Sequence, residues 1–126
     1  VLAGDGAFFM HGLDVHTAVE HRLPVTYVIF NNRAHGMCLI RERLLLGRES
    51  NYNMFSESHI GHGLAVMFPG LVATDCSTSS ELEEALARAL ALPGPSVVCA
   101  RLAGVEVPPF APFRAALTAP STEAPR

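Results

Sequence analysis

Apolar positions along the chain fall into short continuous runs separated by spaced stripes. Val25-Thr26-Tyr27-Val28-Ile29-Phe30 is unbroken, β-branched and aromatic, as a strand buried on both faces should be. A shorter run, Val1-Leu2-Ala3, precedes it. Between the two, Phe9, Met10, Leu13, Thr17 and Ala18 or Val19 recur near helical spacing, predicting one helix from Gly6 to about His21. Leu23-Pro24 stops that helix, because proline removes a donor and restricts the residue before it. Strand, helix and strand in succession make a βαβ unit, and the right-handed crossover rule makes its strands parallel.

The remainder repeats the alternation. Met37, Ile40 and Leu44 form one helical face, with Arg41, Glu42 and Arg43 solvated, and Gly47 to Asn53 reads as a polar loop. A helix is predicted from Ser56 to Met67, with Ile60, Leu64 and Met67 or Phe68 inward and Pro69-Gly70 ending it. Leu71 to Thr74 reads as a short strand. Ser80-Glu81-Leu82-Glu83 has the form of a capping box, followed by the stripe Leu82, Ala85, Leu86, Ala89 and Leu90. Pro93-Gly94-Pro95 ends this helix and Ser96 to Leu102 forms a last strand. The fold class expected is α/β with a parallel sheet. Residues 1–104 form its domain and residues 105–126 a Pro-rich tail that holds five of the nine prolines, expected to be extended on the surface from Val105 to Phe113 and disordered after it. Because the sequence opens inside a strand pattern, it reads as the N-terminally truncated, C-terminal part of something longer.

Composition narrows the function classes. Hydrophobic residues make up 49% of the 126 and charged residues 17%, which favours a buried sheet. The formal charge of −3 and the lack of a basic stripe argue against a nucleic-acid partner. The apolar runs are far shorter than a membrane span, and no leader-like stretch is present. Cys38, Cys76 and Cys99 show neither C-x-x-C pairing nor zinc-like spacing, so reduced thiols and a cytoplasmic setting are expected. His11, His16 and His21 recur every five residues and spread around a helix, which is no metal site; His59 and His62 share a face and read as surface residues.

Candidate chemistry concentrates at two strand ends. Gly4-Asp5-Gly6 follows the first apolar run and Asn31-Asn32 the second. Parallel sheets bind ligands at the C-terminal ends of their strands. Asp5 and Asn32 offer hard oxygen ligands suited to Mg²⁺, and Gly4 and Gly6 permit an anion close to the backbone at a helix N-terminus. Each motif alone is a common turn; their separation by one βα crossover makes the pair a metal–diphosphate cradle. G-x-G-x-x-G and the P-loop lysine motif are both missing, which argues against a generic nucleotide site.

Gly4-Asp5-Gly6, with Asn32 lying 27 positions after Asp5, resembles the thiamine-diphosphate (ThDP) motif of the ThDP-dependent enzymes. The segments Gly4 to Met10 and Leu23 to Asn32, with Gly36-Met37, are similar to the acetolactate synthase group. The resemblance implies the three-layer ThDP-binding fold, with thiamine diphosphate and Mg²⁺ as cofactors. Asp5 and Asn32 would ligate Mg²⁺ through their side chains and Ala34 through its carbonyl. Gly4, Gly6 and Ala7 would line the diphosphate, and His35, Gly36 and Met37 would run beside the cofactor, with His35 free to touch substrate. Ala7 stands where the family commonly has serine, and His35 where tyrosine or leucine is more usual.

The resemblance further implies a 2-keto acid substrate, handled by carboligation or decarboxylation at the thiazolium carbon. A pyrimidine-binding domain, usually of the neighbouring subunit, would supply the activating glutamate, so a homodimer or homotetramer is expected of the parent protein. No catalytic residue is expected within the chain itself. Alternatives are a decarboxylase subunit on a separate chain and a non-catalytic interaction domain that keeps the fold.

Overall fold

The computed structural model describes residues 1–104; the tail at 105–126 lies outside the described residues. Four strands, β1 (Leu2–Gly4), β2 (Thr26–Asn31), β3 (Val72–Cys76) and β4 (Ser96–Arg101), form one sheet in the order β1-β2-β4-β3. Every pairing is parallel, as expected, with Val28 opposite both Leu2 and Val98. The third predicted strand begins one residue later than its apolar run and extends to Cys76.

Alternation along the strands sorts the core into two layers. Ile29, Val97 and Cys99 face one side, where they pack with Val15, Ile60, Leu64 and Leu71. Val98 and Cys76 face the other side, against Ala85 and Ala89. The second layer belongs to α5 (Ser79–Leu90) and the first to α1 (Asp5–His11), α2 (Val15–Glu20) and α4 (Ile60–Met67). A helix–sheet–helix stack results, each buried aliphatic side chain contributing about 1.5–3 kcal/mol. The remaining helix, α3 (Gly36–Leu46), follows the end of β2.

Several expectations are corrected. The single helix at 6–21 is two helices joined by a 3-10 turn at Gly12–Asp14. The Phe8 ring folds over the break: a Cβ on Gly12 would lie 2.4 Å from it. The break rotates the helical face, so Val15 and Ala18 are buried while Phe9, Met10 and Leu13 are exposed. In α3 it is Leu39 and Ile40 that are buried, and Met37 is partly exposed. The helix predicted from Ser56 starts at Ile60, and of the two alternatives at its end Phe68 packs on the core while Met67 is exposed. The capping box is formed by Thr78 and Glu81, not by Ser80 and Glu83: Thr78 Oγ1 accepts from Glu81 N, and the Glu81 carboxylate accepts from Thr78 N.

Candidate cofactor cleft

The C-terminal ends of β1 and β2 open into a cleft of about 330 Å³. All nine residues singled out from the sequence line it: Gly4, Asp5, Gly6, Ala7, Asn32, Ala34, His35, Gly36 and Met37. Phe30, Cys38 and Leu102 complete the wall. Phe30 and Leu102 were missed, because an apolar residue at a strand end carries no chemical signature.

Asp5 is the anchor. Its side chain is 1% exposed, and among the described residues it forms no ion pair. Its Oδ1 accepts from Gly6 N at 2.9 Å and its Oδ2 from Ala34 N at 3.2 Å. Asn32 Oδ1 accepts from the same Ala34 N–H, also at 3.2 Å. One backbone donor therefore draws two side-chain oxygens, from different strand ends, to a common point. A buried carboxylate without a counter-charge is costly, and a cation beside these oxygens would offset that cost.

The loop after Asn32 is built to bring Ala34 there. Arg33 adopts a left-handed backbone with φ 58°, and Arg33 N donates to Asn31 Oδ1 at 3.2 Å. Segment 51–55 then pairs antiparallel with the loop, opposing Ala34 and Met54. His35 N donates to the Asn53 carbonyl at 2.9 Å and Phe55 N to the Arg33 carbonyl at 2.8 Å. These two bonds hold the loop from behind and leave the carbonyl of Ala34 outside the pairing. A local sequence pattern could not reveal this brace, since its partners lie about twenty residues apart.

His35 packs against the glycine turn. A Cβ on Gly6 would lie 2.3 Å from His35 Nδ1, so glycine is what lets the ring sit there. The ring is held edge-on by Phe55, with centroids 4.8 Å apart, and Phe55 in turn meets Phe9 at 5.5 Å. Helices α1 and α3 both begin at the cleft, so two positive dipole ends border it. Among the described residues no three His, Cys, Asp or Glu side chains cluster as a metal site. The two side-chain oxygens that meet there, one carboxylate and one amide, are hard donors of the kind that oxygen-loving divalent cations take.

Residues 1–100 match the family described as thiamine pyrophosphate enzyme, C-terminal TPP binding domain. The chain belongs to this family. Among its relatives, a Mycobacterium tuberculosis protein assigned as an acetolactate synthase large subunit is 35% identical over 100 residues, covering 77% of this chain and 17% of that protein. The acetolactate synthase large subunit of Porphyra purpurea is 26% identical over 94 residues, 75% of this chain and 16% of that one. The TPP-binding domain thus spans about a sixth of the length of these relatives. Among solved structures, benzoylformate decarboxylase from Polynucleobacter necessarius superposes with a TM-score of 0.76 at 25% identity, over 86% of this chain and 20% of that one. The parallel sheet flanked by helices is the fold of that domain, a family that binds thiamine diphosphate.

Proposed function

We propose that this TPP-binding domain holds the diphosphate and Mg²⁺ of thiamine diphosphate for an enzyme acting on 2-keto acids, by acetolactate synthase-like carboligation or by decarboxylation. The observation that carries the reading is the convergence of Asp5 and Asn32 on the Ala34 N–H. Asp5, Asn32 and the Ala34 carbonyl would ligate the metal, with phosphate oxygens and water completing the shell. Gly4, Gly6 and Ala7 would supply close backbone at the start of α1, Ala7 through its N–H alone. Gly36 and Met37 would do the same at the start of α3, and His35 would wall the cleft between them. The bound cofactor supplies the nucleophilic thiazolium carbon and the electron sink for the keto acid. These residues bind and orient; the activating glutamate would come from a pyrimidine-binding domain of the same protein or of a neighbouring subunit.

Calorimetric titration of ThDP with Mg²⁺ into the intact protein tests the reading. Saturable, Mg²⁺-dependent binding is expected, weakened by Asp5→Ala by at least the ~100-fold that outer-shell changes at metal sites reach. Absence of binding by the intact protein would overturn the cofactor assignment, and unchanged binding by Asp5→Ala the ligand assignment. A product screen with pyruvate and other 2-keto acids then separates carboligation, as in the acetolactate synthase relatives, from decarboxylation.

A further inference from the structure

The cleft offers an anion few side-chain donors. Among the described residues no lysine, arginine, serine, threonine or tyrosine lines it. The Gly6 N–H is taken by Asp5 Oδ1, and the Ala34 N–H by Asp5 Oδ2 and Asn32 Oδ1. Ala7, next in the turn, brings no hydroxyl. Apart from the Asn32 amide and the weakly donating Cys38 thiol, His35 is the lining side chain with a donor to give.

The fold sets the His35 ring against that same turn and holds it there. A Cβ on Gly6 would lie 2.3 Å from Nδ1 and 2.7 Å from Cε1, so the Nδ1 edge faces the turn that carries Ala7. Phe55 meets the ring edge-on, with centroids 4.8 Å apart. The backbone is fixed on both sides of the ring. The His35 N–H donates to the Asn53 carbonyl, and the His35 carbonyl accepts from Cys38 N at 2.9 Å and Leu39 N at 3.0 Å. Neither ring nitrogen bonds to another described residue. Both stay open to solvent, since Ser58 Oγ is the one buried side-chain polar atom without a partner among the described residues. A half-buried imidazole with a free polar edge is thus held at the Gly6–Ala7 turn.

We propose that His35 Nδ1 donates a hydrogen bond to the diphosphate, supplying at this turn the side-chain contact that Ala7 lacks. The inference rests on the cofactor reading above and goes beyond it, since there His35 only walls the cleft. With its proton on Nδ1 the neutral ring is a donor, and a bond to a charged phosphate oxygen is stronger than one between neutral groups. The fixed orientation of the ring leaves little side-chain freedom to be lost on binding. Ala7 and His35, which both depart from the usual residues of the family, are then two halves of one arrangement.

Calorimetry with ThDP and Mg²⁺ compares the intact protein with His35→Phe, with Ala7→Ser and with both changes together. His35→Phe keeps a ring beside Phe55 but removes the donor, and is expected to weaken binding about ten- to a hundredfold. Ala7→Ser is expected to recover most of that loss in His35→Phe and to add little to the unaltered protein, a coupling that a merely structural role of the ring would not give. A second measurement needs no variant. Inorganic pyrophosphate with Mg²⁺, added to isotope-labelled protein, is expected to shift the imidazole Nδ1 resonance of His35. Equal or tighter binding by His35→Phe, a loss that Ala7→Ser does not recover, or an unmoved Nδ1 resonance would each overturn this inference and leave the cofactor reading standing. Absence of ThDP binding by the unaltered protein would overturn both.

Discussion

At Gly6 the absence of a side chain makes room for His35. The ring has little freedom to retreat, because Phe55 holds it edge-on and Phe9 backs Phe55. Gly6→Ala is expected to force this aromatic chain apart and to destabilise the protein by about 1–3 kcal/mol, the usual cost of overpacking. Urea denaturation reads this directly, and an unchanged midpoint would mean that the ring yields freely. The thiols differ as sharply. Cys99 is fully buried, and burial, followed by the charge and hydrogen bond of Asp75, pushes its thiol up to about 12 from an ordinary value of 9.0. Cys38 is exposed beside the cleft. Thiol titration of the folded protein at pH 8 is expected to label Cys38 first and Cys99 only on unfolding. Because the folded thiol is harder to ionise than the unfolded one, its contribution to stability is complete below about pH 9 and is lost as pH rises toward 12. Early labelling of Cys99 at pH 8 would contradict this.

At the scale of elements, α4 shows how a helix end can be legible only in space. Its own N-cap residue, His59, makes no side-chain cap. Asp75, at the end of β3, instead accepts from Gly61 N at 3.1 Å and His62 N at 2.9 Å. Gly61 allows the approach, since a Cβ there would lie 2.3 Å from the Thr74 carbonyl oxygen. Asp75→Ala is expected to cost about 1–2 kcal/mol, the range for a lost helix cap, and to speed amide exchange at Gly61 and His62. Loss of stability without faster exchange at those two amides would place the effect elsewhere. The helix at Ser79–Leu90 is the converse case: its apolar stripe was plain in the sequence, and only the capping register was displaced, by two residues. Thr78, Ser79 and Ser80 offer similar hydroxyls in succession, so spacing alone does not choose among them.

For the whole molecule, the consequence lies at the β1 edge of the sheet. Among the described residues β1 pairs with β2 on one side only, and Leu2 is 76% exposed. Phe30 and Leu102, at the C-terminal ends of β2 and β4, add partly exposed apolar surface. Parallel sheets are ordinarily covered on both faces, and an open edge beside apolar surface invites association. The 126-residue chain by itself is therefore expected to self-associate with rising concentration, and analytical ultracentrifugation checks this. A stable monomer with a cooperative thermal transition would contradict the expectation.

Sequence alone determined what depends on neighbours in the chain. Continuous apolar runs gave the parallel strands, and Gly4-Asp5-Gly6 with Asn32 gave the location of the cleft, because strand-end chemistry is written within a few residues. Tertiary structure decided what depends on distant partners. It turned the face of α1 and α2 by a break at Gly12, moved the start of α4 to meet Asp75, and braced Ala34 with Asn53 and Phe55. It also set Asn31 and Arg33 apart from Asn32 and Ala34, since the first pair lines a depression with Glu57, Ser58 and Arg101 and the second the cleft. Hydrogen bonds and close contacts between segments tens of residues apart leave no local periodicity, and so they emerge only when the chain is folded.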